Sequence, residues 1–208
     1  MKQIRKKKII AMWKLSMNIA IIALIALNVA FAGEITGTVK AIGVKHPGNA
    51  VIYIEKIEGK SFEAPEEHAV MDQENLTFIP HVLSIVAGTT IDFRNSDEVL
   101  HNVFSPDKCA NKFNLGTWPK GEIRSFTFDN VGCTPVLLCN VHPEMEAFVV
   151  VLQNPYFAVS EKDGTYIIKD VPPGKYTLTI WHEKLKGKSV EIVVLEEGSI
   201  IQDFVIKR

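Results

Sequence analysis

The chain has 208 residues, 47% of them hydrophobic and 23% charged, and its formal net charge is −1. That length allows one large domain or two small ones, and the composition is that of a globular protein. With no basic excess, a nucleic-acid partner is not expected. No internal repeat or low-complexity tract is present.

The first 32 residues differ from the rest. Lys2, Arg5, Lys6, Lys7, Lys8 and Lys14 stand in a stretch without acids, an apolar run follows from Leu15 to Phe31, and Ala30-Phe31-Ala32 forms a small-x-small site before Gly33. This order is that of a secretory signal peptide cleaved after Ala32. The alternative is an uncleaved anchor, for which the apolar run is at the short end. Cleavage would leave no membrane span and 17 basic against 24 acidic residues, a formal charge of 17 − 24 = −7. The expected location is periplasmic or otherwise exported. Three cysteines remain, Cys109, Cys133 and Cys139. An odd count in an exported chain leaves one thiol to be explained.

From Gly33 onward the pattern is β. Ile35–Val39 and Ala50–Ile54 are rich in β-branched residues around a His46-Pro47-Gly48-Asn49 turn. Glu55–Pro65 is polar and loop-like. Val82–Val86, Thr89–Phe93, Ile123–Phe128 and Val136–Cys139 follow as short strands. Trp118 falls in a turn, suited to an edge or a partner contact. Asp163-Gly164 signals a hairpin joining Phe157–Val159 to Tyr166–Ile168. Tyr176, Leu178 and Ile180 alternate with polar residues. Glu183–Lys188 is expected as a solvated hairpin, and Val190–Leu195 and Ile200–Ile206 as closing strands. The fold class is all-β, built from sandwiches. Residues 33–60 are too few to fold alone.

The chemistry concentrates in "LLCNVHPEM". Cys139, His142 and Met145 offer a soft thiolate, a borderline imidazole and a soft thioether. A Cys-His-His set with a weak axial Met is the donor set of electron-transferring copper sites. The second imidazole must come from elsewhere, and His101 in "VLHNVFS" is available. Pro143 forces a turn, so a tight loop can aim the three side chains at one point. His46, His68, His81 and His182 lack a comparable set around them and are expected in structural roles, with His182 at a domain interface or a second metal site.

These residues resemble a known family. "SIVAGTTIDFRNSDEVLHNV" (84–103) followed by "CNVHPEM" is similar to the cupredoxins of the plastocyanin and amicyanin group, over about residues 66–152. The resemblance implies a Greek-key β-sandwich and one type 1 copper ion held by His101, Cys139 and His142, with Met145 axial. It implies single-electron transfer, with Asn102 tying the ligand loops together. It also implies a carrier, not an enzyme. The partner would be a redox protein such as a c-type cytochrome or a dehydrogenase. Cys133-Thr134-Pro135 imitates a ligand loop, but Cys133 would lie about 20 Å along a strand from Cys139. With Cys139 on copper, Cys109 and Cys133 are left to form a disulfide. The alternatives are copper storage or delivery without redox turnover, and a structural or carbohydrate-binding module.

The flanks carry a second resemblance. "GEITGTVK", "NAVIYIEK" and "DGTYIIKDVPPGKYTLTIWHE" are similar to carboxypeptidase regulatory-like, or transthyretin-like, sandwiches. That resemblance implies a cupredoxin at 61–154 inserted into a split second sandwich of residues 33–60 and 155–208. The split sandwich shows no peptidase zinc motif.

Overall fold

A computed structural model describes residues 33–196 and 198–208; the leader expected over residues 1–32 lies outside them. Among the described residues the fold is all-β, and no helix is long and apolar enough to cross a membrane. The strands are β1 (Gly33–Ile42), β2 (Val51–Ile54), β3 (Ala69–Glu74), β4 (Thr77–Ile79), β5 (Val82–Val86), β6 (Thr89–Asn95), β7 (His101–Ser105), β8 (Phe113–Trp118) and β9 (Ile123–Phe128). They continue as β10 (Val136–Leu138), β11 (Glu146–Leu152), β12 (Phe157–Val159), β13 (Thr165–Val171), β14 (Gly174–Trp181), β15 (Lys188–Val194), β16 (Ser199–Ile201) and β17 (Phe204–Lys207).

Four sheets form. The first has the order β13-β1-β16, with β17 also on β1; the second is β12-β2-β14-β15. The third is β5-β11-β10-β7-β8 and the fourth β4-β3-β6-β9. One core lies between the first two sheets, with Ile35 and Phe204 facing Ile52, Leu178 and Ile180. A second lies between the last two, with Met71, Phe78 and Phe93 facing Val103, Leu137 and Val149. A third, smaller cluster joins the second sheet to the third: Val51, Val82, Val150 and Leu152 are buried, with Tyr53, Phe157 and Trp181 packed on them.

The strand β11 explains this layering. Its Ala147, Val149 and Val151 enter the second core, while Phe148, Val150 and Leu152 enter the third cluster. A strand covered on both faces reads as a continuous apolar run rather than as alternation, which is the pattern of "AFVVVL". The segments entering and leaving residues 69–152 are joined: the Asn154 amide donates to the Ile54 carbonyl, and Gln153 donates to the Lys60 carbonyl.

Four local expectations need correction. The Asp163-Gly164 turn exists, with Gly164 at φ +92°, but it does not make a hairpin. β12 pairs with β2 and β13 pairs with β1, in different sheets. Ser160 causes the switch, because its N–H donates to Ala50 and its carbonyl accepts from Asn49, which ties the turn entry to the second sheet.

The single strand expected at 200–206 is two. Between them the Asp203 carboxylate accepts from the Thr38 N–H, standing in for a ladder carbonyl. Gly37 permits the break, because a Cβ there would collide with the Gln202 carbonyl. Trp118 is not in a turn or open to a partner; it ends β8, the edge strand of the third sheet, and is fully buried, with Arg124 over its ring.

The charged hairpin after β14 is only partly solvated. His182 and Leu185 are buried, and the Glu183 carboxylate faces His81 Nε2 at 3.1 Å.

Burial pushes the His182 imidazole below its ordinary value; Lys184, His46 and His81 act in the same direction, and Glu183 opposes them. A histidine depressed in the folded state gives stability that is present above the unfolded-state value near 6.5 and lost as pH falls through the lower folded value. The thermal midpoint should therefore drop as pH is lowered from about 7 to about 5, and His182→Asn should flatten that drop.

Candidate metal centre

The candidate ligands lie at one end of the third sheet. His101 opens β7, Cys139 follows β10 directly, and His142 and Met145 lie in the loop leading to β11. β7, β10 and β11 are adjacent in the order β11-β10-β7. Hydrophobic ladders on three neighbouring strands thus bring together residues 41 positions apart, His101 and His142. The loop closes tightly, with the Met145 N–H donating to the His142 carbonyl at 3.0 Å.

His101, Cys139 and His142 place one donor atom each within 4.8 Å of one another. His142 Nδ1 is 3.1 Å from His101 Nδ1, and Cys139 Sγ is 3.9 Å from His101 Nδ1. Ligand bonds of about 2.0–2.1 Å to nitrogen and about 2.3 Å to sulfur allow two donors on one ion to stand at most roughly 4.2–4.4 Å apart. Both separations fall inside that limit, as donors to one soft-to-borderline ion should, and the Cys139–His142 pair lies within 4.8 Å. Met145 is buried to 1% exposure in the same core as Cys139, itself at 3%. His142 is only half-buried, and its neighbours Val141 and Pro143 are exposed.

Asp97 was not among the residues singled out from the sequence. Its Oδ2 lies 2.8 Å from His101 Nε2. A carboxylate only accepts, so Nε2 carries the proton and the Nδ1 lone pair faces Cys139 and His142. The Asp97 carboxylate also accepts from the Asn75 and Leu76 N–H groups. Burial pushes its carboxyl up, but the hydrogen bonds from Leu76, His101 and Asn75 outweigh this and hold it below the usual range. The only sequence signal was an acid four positions before a candidate histidine.

Asn102 bonds two segments, the ligand loop and β8. Its side-chain oxygen accepts from the Asn140 N–H beside Cys139, and its amide donates to Asn114 Oδ1 and the Gly116 carbonyl. Cys109 and Cys133 form a disulfide, and Cys139 is the free thiol. Of the other histidines, His68 is exposed and faces Asp92 at 2.8 Å, while His46, His81 and His182 line a separate cleft.

A family described as polysaccharide lyase family 4, domain II, matches residues 141–202, less than a third of the chain. No curated protein matches. Among solved structures, a Cu-containing nitrite reductase from Thermus scotoductus SA-01 is 23% identical, covering 49% of this chain and 25% of its own, with a TM-score of 0.40. A purple cupredoxin from Nitrosopumilus maritimus is 26% identical over 40% of this chain and 98% of its own, with a TM-score of 0.36. A reduced tryptophan-to-tyrosine variant of amicyanin is 25% identical over 50% of this chain and 98% of its own, with a TM-score of 0.39. This chain thus spans a quarter of the nitrite reductase.

Removing a carboxylate that orients a ligand histidine typically costs about 10–100-fold in metal affinity. Asp97→Ala should weaken copper binding by that factor in competition with a chelator of known affinity.

Proposed function

We propose that this chain is an exported type 1 copper protein that carries single electrons between redox partners. His101, Cys139 and His142 would hold the ion, with Met145 as the axial donor. The observation that carries this reading is the meeting of one thiol and two imidazoles, donor atoms within 4.8 Å, at a buried strand end. Copper bound there supplies one-electron chemistry between Cu(I) and Cu(II).

The chain's own residues do the rest. Asp97 and Asn102 hold His101 and the Cys139 loop in place, so little would need to move when charge changes. The apolar core around Cys139 and Met145 excludes water. His142 is the ligand residue nearest solvent, and its Nε2 has no partner among the described residues. Electrons would leave by this ring. Val141, Val99 and Leu100 beside the two histidines are 44%, 44% and 52% exposed, which suits a docking patch for an electron donor or acceptor.

We read the protein as a carrier rather than an enzyme. The Cys109–Cys133 disulfide supports a location outside the reducing cytoplasm. The acidic charge expected once residues 1–32 are removed suits a basic partner such as a c-type cytochrome, or a dehydrogenase. The flanking strands fit a second sandwich of the regulatory-like kind, split by the copper-binding region. The polysaccharide lyase match over 141–202 favours a second reading, a carbohydrate-binding module in which a metal only stabilises the fold.

Colour separates the two. Cu(II) added to the purified protein should give an intense visible band that bleaches with reductant and returns on oxidation, and Cys139→Ala should abolish it. A colourless complex, or binding that survives the loss of Cys139, would sink the electron-carrier reading. His142→Gly should slow electron exchange with a small redox partner far more than it lowers the thermal midpoint. Unchanged exchange would refute the route through the ring.

A further inference from the structure

The β1–β2 and β14–β15 connections, with Thr77 and His81, enclose a cleft of about 480 Å³. His46, His81, His182, Lys45, Lys184 and Arg208 line it. Three imidazoles in one cavity invite a second metal site, and the hydrogen bonding argues against it.

His81 has both nitrogens committed to acceptors: Nδ1 to the Glu146 carbonyl at 3.2 Å and Nε2 to the Glu183 carboxylate at 3.1 Å. Both face acceptors rather than the open cleft, so neither is turned to a cation there. His182 is 7% exposed, and its Nδ1 accepts the Lys184 N–H at 3.0 Å. The ring proton therefore sits on Nε2. That atom has no protein partner among the described residues and is not sealed from solvent. It is a donor open to the cleft.

Acceptors are scarce. Glu183 is the one carboxylate side chain lining the cleft, and its Oε1 is shared by His81 Nε2 and Lys184 Nζ, the latter at 3.3 Å. Lys45 and Arg208 have no ion-pair partner among the described residues. Counting side chains, the cleft thus holds three cationic groups, Lys45, Lys184 and Arg208, against one carboxylate, Glu183, on a chain with 23 basic and 24 acidic residues overall. A concave surface of one sign concentrates the opposite ion.

We propose that this cleft binds a small multivalent oxyanion, carboxylate- or phosphate-bearing, held by the His182 Nε2–H together with Lys45, Lys184 and Arg208. The site is independent of the copper reading, because no candidate copper ligand lines it.

Calorimetric titration of the purified protein with inorganic phosphate and with citrate, against chloride at matched ionic strength, tests this. One-site saturable binding is expected for at least one probe, with movement of the His182 Nε2–H resonance. Binding of phosphate alone points to a phosphate-bearing source, and binding of citrate alone to a carboxylate source. Charged hydrogen bonds are strong enough that Lys45→Ala with Arg208→Ala should weaken binding at least about tenfold. His182→Asn keeps an acceptor for the Lys184 N–H but its shorter amide withdraws the donor from the Nε2 position, and it should cost a similar factor. The two surface substitutions decide the matter if His182→Asn does not fold. Absence of saturable binding by either probe, chloride binding equally well, or affinity undiminished by Lys45→Ala with Arg208→Ala overturns the proposal.

Discussion

A sulfur donor enclosed in an apolar core is the constraint around which this molecule is built. Cys139 is 3% exposed and packs in the same cluster as Leu137, Val149 and Met145. A charged thiolate in such surroundings is costly unless a cation neutralises it. Two imidazole nitrogens face the sulfur's surroundings, and each polar neighbour has one task in keeping them there. Asp97 accepts from His101 and from two backbone N–H groups, so its charge is spread over three donors. Asn102, on β7, fixes the backbone next to Cys139 and ties it to β8. Loosening either would leave the sulfur buried without the geometry that makes its burial tolerable.

The scaffold meets that demand through packing on both sides of one strand. β11 begins right after Met145 and is enclosed by two separate cores. Close-packed interiors transmit small displacements poorly tolerated elsewhere, so the exit of the ligand loop is fixed by contacts from both directions. The Glu146 carbonyl at the strand's start is also held by His81, which reaches Glu183 on the β14–β15 connection. The flanking sheets therefore brace the candidate site mechanically, although none of their residues is a candidate ligand.

Legibility from sequence was uneven, for physical reasons. Period-2 stretches with one wet face, such as Tyr176–Ile180, give their burial directly, because each side chain has one environment. The cluster "CNVHPEM" is legible because three soft or borderline donors rarely fall so close together, and the structure gathers two of them with His101. What could not be read depends on pairing partners far along the chain. The Asp163-Gly164 turn has hairpin chemistry, yet Ser160 commits its entry strand to β2. Trp118 looked like a turn residue because Pro119 follows it, and only the neighbouring sheets bury it. Asp97 is one acid among 24 in sequence, and its role exists only once β7 and the turn at Asn75 and Leu76 have met.

The placement of β1 has a consequence for how the chain reaches this state. Ile35 pairs with Ile168, and Val39 with Phe204, so this strand waits for nearly the whole chain before it has any ladder. Such distant pairings close large loops and are slow to form. The second core draws its residues from 71–151 alone, a contiguous stretch able to condense while β1 is still unpartnered. Residues 71–151 would then act as a nucleus whose adjacent ends, tied at Ile54 and Asn154, bring β2 and β12 together and shorten the remaining search. Until that happens, the alternating Ile35, Val39 and Ala41 form an unsatisfied β edge, the kind of segment that pairs with the wrong chain. The topology thereby favours one order of maturation: residues 71–151 first, β1 last.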